Sequence, residues 1–546
     1  MPTDWGVKKY LIIDDFSAFR HSVKKMLQSL GAKDMDDSGD PEEAIRMLSK
    51  KNYDVILCDF NLGEDRRDGQ QILEEVKFRS LIKPSTTFIM VTAENTMTMV
   101  MSTLEYVPDG YLIKPFVPEV LRRRLETLID RKKDIEEIES AIQKMEHLRA
   151  ISICDDLSRK KPANILDFLQ MKANICFMIG NYDDAQAVYE RVLTLRNIPW
   201  ARFGLGKVYF HRKQYIEARD TFEETIKENG TFMEAYDWLA KTMEELDEMQ
   251  KAQDILSEAI QISPKAILRQ KTLAEISYRN GDYDTAEKAY RKAVRLGKHS
   301  CFRSPTDHAG LAKVSIVKGL LAKALEITRD IRKEFGGARE AEILASVMDS
   351  FIHKAMSNEP EAAKSINDAA RQYEAMSGRV SNDISLDLAK GFIASGNKAK
   401  GMSILEWLAR NHYEDEKMLR KVKHVLEETG TTDEGEKMIA SARQDTVKLN
   451  NQGVALVEQG RLDEAIEFFS KASERLPDNV TVNTNATRAI IIKMEKSGRD
   501  DRLLFRARKH LDRLKTLAPT DARYQKLLVK YAEISTQLTN RGQNGT

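Results

Sequence analysis

The chain is poor in the residues that break helices or make turn-rich β-structure, with 27 glycines and 13 prolines in 546 residues. Helix is therefore expected to dominate the fold. Cysteine is scarcer still. The four thiols, Cys58, Cys154, Cys176 and Cys301, lack CxxC spacing, so neither a disulfide framework nor a thiolate zinc site is indicated. No run approaches the roughly 18 apolar residues of a membrane span, and the first ten residues carry Asp4, Lys8 and Lys9 in place of an apolar signal core. A cytoplasmic protein without membrane insertion is expected. Charge of one sign is missing too: 86 Lys and Arg face 85 Asp and Glu. The first 130 residues hold 18 basic and 22 acidic side chains and the remainder 68 and 63, too even for a nucleic-acid partner. Arg122-Arg123-Arg124 reads as one solvated helix face. After residue 131 there is no Gly-rich phosphate loop, HExxH pair or nucleophile elbow, so an enzymatic output is not expected.

What is present suffices for more than one core, since 42% of the residues are hydrophobic and single cores stop growing near roughly 250 to 300 residues. Residues 8 to 130 alternate short apolar runs with amphipathic stretches. Lys8 with Tyr10–Ile13, a weak run near 33 to 37, Val55–Cys58, Thr87–Val91 and Tyr111–Ile113 predict strands. Helices are predicted near 17 to 30, from Pro41, near 69 to 79, after Glu94 and from Phe116 to Leu128. This alternation predicts an α/β doubly wound, five-stranded parallel sheet over residues 1–130, with any chemistry at the carboxyl ends of the strands.

From 131 to 160, Ile135, Ile138, Ile142, Met145 and Leu148 recur at helical spacing in a charged segment. They predict a helical linker, either packed on the helices after it or forming a dimerising coil. Beyond it the chain repeats itself. Gly180-Asn181-Tyr182-Asp183-Asp184-Ala185 is echoed by Gly281-Asp282-Tyr283-Asp284-Thr285-Ala286 and by Gly460-Arg461-Leu462-Asp463-Glu464-Ala465. The anchoring alanines Ala185, Ala218, Ala252, Ala286 and Ala324 fall 33, 34, 34 and 38 residues apart. A large residue follows four positions later at Tyr189, Phe222, Leu256, Tyr290 and Phe469, and Pro264 and Pro477 follow their alanines by twelve. The period of about 34 residues resembles that of tetratricopeptide repeats. Residues 161–538 are thus expected to form an all-α tetratricopeptide-repeat solenoid, with 539–546 a flexible polar tail. A last unit is expected around Ala507, Leu511 and Pro519, whereas 338–380 and 410–445 are helical in composition but do not fall into register.

In the first segment each predicted strand end bears a polar residue: Asp14-Asp15, Asp59, Thr92 and Lys114. Three converging carboxylates repel by about 4 kcal/mol per pair at 4 Å with an effective dielectric of 20, which calls for a counter-ion. Oxygen ligands without His or Cys point to Mg²⁺. Asp14-Asp15-Phe16-Ser17, Asp59-Phe60-Asn61, Thr92-Ala93-Glu94 and Tyr111-Leu112-Ile113-Lys114-Pro115-Phe116 resemble response-regulator receiver domains of the flavodoxin-like fold, the chemotaxis receiver especially. That resemblance implies that Asp59 accepts a phosphoryl group from a sensor histidine kinase. It also implies that Asp14, Asp15, Asp59 and the Asn61 carbonyl hold Mg²⁺, that Lys114 and the Thr92 hydroxyl contact the phosphoryl oxygens, and that Thr92 and Tyr111 form the switch. The loop from Phe60 to Asp68 is longer than usual for receivers and lacks the customary proline after Leu62. Its Glu64 and Asp65 border the entrance, where they are either solvated or an influence on the metal.

The domain order resembles the VieB-type response regulators, whose output is protein binding. A phosphorylation-gated adaptor that binds a protein ligand on the concave face of its repeats is therefore expected; the resemblance does not carry over a partner, and a component of the same relay, such as a sensor kinase, is the expected one. The alternative weighed is a phosphoaspartate phosphatase acting on another receiver, for which no residue can be singled out. Transcriptional control is a third reading, and it would require salt-resistant duplex binding.

Overall fold

A computed structural model of the chain describes residues 4–63, 66–93, 106–144, 146–376, 380–519 and 521–536. The first domain is a parallel sheet of strands β1 (Lys9–Ile13), β2 (Asp34–Ser38), β3 (Val55–Asp59), β4 (Thr87–Thr92) and β5 (Gly110–Ile113). Their order is β2-β1-β3-β4-β5. Helices α1 (Ser17–Ser29), α2 (Pro41–Lys50), α3 (Gly69–Phe78) and α4 (Pro118–Lys133) accompany it. Because β3 and β4 are buried along their whole length, they read in sequence as unbroken apolar runs and not as alternation. The helix expected after Glu94 lies outside the described residues, as do Glu94 itself, Glu64, Asp65 and the tail.

Two boundaries differ from expectation for physical reasons. The last helix begins at Pro118 and not Phe116, because proline fits the first helical position, and it runs on to Lys133 with Arg131, Lys132 and Lys133 favouring its C-terminal dipole. The weak second strand is acidic at Asp34, Asp36 and Asp37, a composition unsuited to a strand. Cations settle the matter: Lys51 Nζ lies 2.7 Å from both Asp34 Oδ1 and Asp36 Oδ2, while Arg20 and Lys24 pair with Asp37.

The linker forms two helices, Ile135–Gln143 and His147–Lys160. Ile138 is fully buried with Ala150, Cys154 and Phe168, so the stripe packs on the neighbouring helices of its own chain. Leu148 does not share this role and is 67% exposed, while Met145 lies outside the described residues.

The chain divides into two compact units, residues 1–175 with 182–307, and 176–181 with 308–546. Both contain helical hairpins. The anchoring alanines at 185, 218, 252, 286, 324 and 465 are all fully buried. A Cβ on Gly206 would lie 2.6 Å from the Phe222 ring, and one on Gly453 would lie 2.4 Å from the Phe469 ring. The glycine thus makes room for the aromatic sixteen residues later. The segments without register owe this to helix length. Arg339–Ala355 and Glu359–Ala375 have 17 residues each against 14 in Tyr215–Glu228, and Thr432–Glu458 runs 27 residues without a break.

Candidate functional site

The site follows from strand register. Ile13 pairs with Cys58, Asp59 with Val91, and Thr92 with Ile113, so the strands end nearly level and the residues just beyond them meet at one edge. Carboxylate oxygens of Asp14, Asp15 and Asp59 lie within 4.8 Å of one another. Asp14 and Asp59 are buried and Asp15 is exposed, which leaves one side of the cluster open to solvent.

Lys114 supplies the positive charge. Its Nζ lies 2.6 Å from Asp14 Oδ2 and 3.0 Å from Asp59 Oδ2, and 4.1 Å from the centre of the Phe19 ring. Phe116 packs edge-on against Phe19, with ring centroids 5.7 Å apart. The Phe19 ring, backed by Phe116, thus faces the ammonium at the strand end. Burial works against the ammonium, but hydrogen bonds to Asp14 and Asp59 outweigh it and hold its pKa above the ordinary lysine value. Burial lifts the Asp59 carboxyl above the usual carboxylate range with help from Asp14, while Lys114 and the Phe60 amide oppose it. Three carboxylates against one lysine leave net negative charge that a divalent cation would neutralise, and the donors are the hard oxygens that Mg²⁺ prefers.

Thr92 is buried at the end of β4, and its carbonyl accepts from the Lys114 amide at 2.7 Å. Asn61 lies in the loop after β3. Its side-chain oxygen accepts from the Gly63 amide at 3.2 Å, so the side chain serves the turn. Gly63 adopts φ +105°, and a Cβ there would come within 3.9 Å of Asp15 Oδ2. Tyr111 is half-buried in β5, against the core that contains Ile72 and Phe88.

Sequence reasoning missed Arg20. Its Nη1 donates to the carbonyls of Asp14 at 2.6 Å and Asp15 at 3.2 Å, and its Nε lies 2.7 Å from Asp37 Oδ2. The guanidinium ties the acidic turn to β2 and orients it. Its signal in the sequence is a basic residue on the first turn of the helix after Asp14-Asp15. Arg67 was missed as well. It joins Glu75 of α3 and lies 2.8 Å from Glu42 of α2, pinning the long loop.

Known proteins resemble both parts of the chain. The response regulator receiver domain family matches residues 10–126. The tetratricopeptide repeat family matches residues 272–296 and 449–479, and the family of anaphase-promoting complex, cyclosome, subunit 3 matches 178–259. The chemotaxis protein CheY of Pseudomonas aeruginosa is 31% identical over 123 residues, which are 22% of this chain and 97% of that protein. CheY-3 of Vibrio cholerae is 29% identical over 123 residues, 22% of this chain and 92% of its own. Among solved structures, a CheY-like receiver domain protein from Methanospirillum hungatei shares 25% identity at a TM-score of 0.21, covering 23% of this chain and 96% of that one. No helix among the described residues is long and apolar enough to cross a membrane.

Proposed function

The chain carries a response-regulator receiver domain followed by tetratricopeptide-type repeats, and on that premise we propose that it is a phosphorylation-gated adaptor. Asp59 is the phosphoacceptor. One of its carboxylate oxygens forms a bond to phosphorus as the bond from phosphorus to a kinase histidine nitrogen breaks, a transfer that needs positioning and charge neutralisation more than a strong base. Asp14, Asp15, Asp59 and the Asn61 carbonyl are the residues that would hold Mg²⁺. When bound, that ion neutralises phosphoryl oxygens beside the carboxylates. Lys114, already within reach of Asp59, and the Thr92 hydroxyl receive the remaining oxygens, and Arg20 keeps the acidic turn aimed. Thr92 and Tyr111 then change position together as the switch. The repeats bind a protein partner in the cytoplasm and carry no catalysis of their own.

The observation that carries this reading is the meeting of Asp14, Asp15 and Asp59 with Lys114 at level strand ends. Its test is labelling of the full chain by a small phosphodonor such as acetyl phosphate. Labelling is expected to require Mg²⁺ and to vanish in Asp59→Asn. Undiminished labelling of that variant would refute the assignment. Capture of partners by wild type with and without beryllium fluoride then tests the gating, and equal capture in both states would leave a passive tether.

A further inference from the structure

The receiver touches the repeats through α3. Ser300 Oγ donates to Glu74 Oε2 at 3.1 Å across 226 residues of sequence. Phe78, at the end of α3, meets Phe302 with ring centroids 4.7 Å apart and planes at 70°. Both repeat residues lie in the turn between helices Tyr283–Gly297 and Pro305–Val317. The turn is held in shape by its own bonds. The Ser300 amide donates to Gly297 at 3.0 Å, the Phe302 amide donates to Ser300 Oγ at 3.1 Å, and Lys271 Nζ donates to the Phe302 carbonyl at 2.6 Å. Charges agree across the contact. Burial raises the Asp68 carboxyl, and after its bond to the Gln71 amide it is Lys265 of the repeats that opposes this. Burial lowers the Lys77 ammonium; Asp109 opposes this, Lys132 adds to it, and Glu234 of the repeats supports the charge last.

We infer that the Ser300–Arg303 turn is a recognition surface for a receiver domain, occupied in this chain by the α3 face of its own receiver, and that phosphorylation at Asp59 loosens the pair. The inference rests on Asp59 being the phosphoacceptor. Phe78 remains 60% exposed even in contact, whereas Ser300 and Phe302 are buried, so the ring closes over the turn from its rim. The link to the site is direct. The Gly69 amide, which opens α3, donates to the Phe60 carbonyl at 2.8 Å, and a Cβ on Gly69 would lie only 2.2 Å from the Asp59 carbonyl oxygen. A phosphoryl group adds about −1.5 to −2 charges beside that peptide. With no slack between Asp59 and the first turn of α3, a shift of one moves the other.

Cys301 is a native probe, because the other three thiols are buried. Burial, then Glu74 and Glu75 of α3, push its thiol up to about 11. A fall of about one in that pKa multiplies the reactive thiolate by about ten. In the full chain, Phe78→Asp is expected to speed alkylation of Cys301 by iodoacetamide about tenfold or more, independently of protein concentration. Beryllium fluoride with Mg²⁺ should speed it in wild type, and Val120→Asp, at an exposed site on α4, should not. An unchanged rate in Phe78→Asp would overturn the surface. A rate that rises on dilution of wild type would show a second copy as the occupant and overturn the intramolecular pairing. Acceleration by Phe78→Asp but not by beryllium fluoride would overturn the coupling. Failure of the phosphoacceptor reading shows separately, as Asp59 that acetyl phosphate does not label.

Discussion

The receiver and the repeats build with opposite logic. The receiver gathers Asp14, Asp59, Thr92 and Lys114 from separate strand ends, so its chemistry depends on contacts distant in sequence and concentrates like charges that oppose folding. The repeats rely on neighbours. Phe222 fills the space left by Gly206 and Phe469 the space left by Gly453, sixteen residues apart in both cases, and the arrangement adds core with each unit. The carboxylates at the carboxyl edge of the receiver sheet crowd like charge around one lysine, whereas the recurring positions of the repeats fill core.

The largest effect that sharpens this contrast is expected at a repeat aromatic. Phe469 is fully buried, so Phe469→Ala should cost about 3 to 5 kcal/mol in urea unfolding of the second unit. Labelling at Asp59 should be unaffected. Loss of labelling together with loss of stability would show that the receiver cannot fold without the distant repeats.

The next effect is a pH dependence that belongs to the repeats. His510 is buried, its Nδ1 lies 3.0 Å from Asn483 Oδ1, and burial followed by Arg513, Lys509 and Arg506 lowers its pKa to about 4. The unfolded imidazole takes its proton near pH 6.5. Because the folded pKa is the lower one, the stability due to neutral His510 is complete above about pH 6.5 and is lost as pH falls through the window to about 4. The loss is on the order of 3 kcal/mol. His510→Gln should flatten unfolding of the second unit across that window, and an unchanged slope would refute the role.

How much of this was legible in the sequence depended on whether function or packing dictates a residue type. The placement of Asp14, Asp15, Asp59, Thr92 and Lys114 at strand ends could be read because each directly ends or follows an apolar run, and the alanine anchors because they recur. Arg20 could not, because it works on main-chain carbonyls whose position only the fold reveals. The acidic β2 was faint because its strand character comes from Lys51, Arg20 and Lys24 across space and not from its own residues. Ser300 and Phe302 were silent for another reason. They sit in a turn, off the repeating positions, where nothing in a period of alanines marks them. The register of 410–445 was lost because the helix Thr432–Glu458 has no turn to punctuate it.

A smaller effect separates two uses of glycine within the repeats. Gly281 has φ +78° and nothing within 4 Å of where a Cβ would lie, so Gly281→Ala meets only the left-handed backbone penalty of roughly 1 to 2 kcal/mol. Gly206→Ala meets the Phe222 ring instead. Pairing each glycine change with Phe222→Leu distinguishes them: the smaller side chain should relieve Gly206→Ala and leave Gly281→Ala untouched. Equal relief of both would mean that the turn and the packing position are not independent.

The smallest effect has the opposite sign and lies in the receiver. Asp59 is a buried carboxylate whose pKa is raised first by burial and further by Asp14, against the pull of Lys114. An acid with a raised folded pKa favours folding below its unfolded pKa, and that contribution is lost as pH rises through the folded value. Charged Asp59 is therefore a burden at neutral pH, and Asp59→Asn should stabilise the receiver in metal-free buffer. Lys114 and the solvent-facing side of the cluster screen the repulsion, so the gain should be below about 1 kcal/mol. Hydrogen exchange of the β1, β3 and β4 amides at pH 7, with chelator present, measures it without reference to the repeats. Slower exchange in Asp59→Asn, and a gap that narrows when Mg²⁺ is restored to wild type, would show that the cluster trades stability for a cation site. Faster exchange in the variant would mean that the bond from Lys114 to Asp59 outweighs the crowding, and that the receiver too is built first for stability.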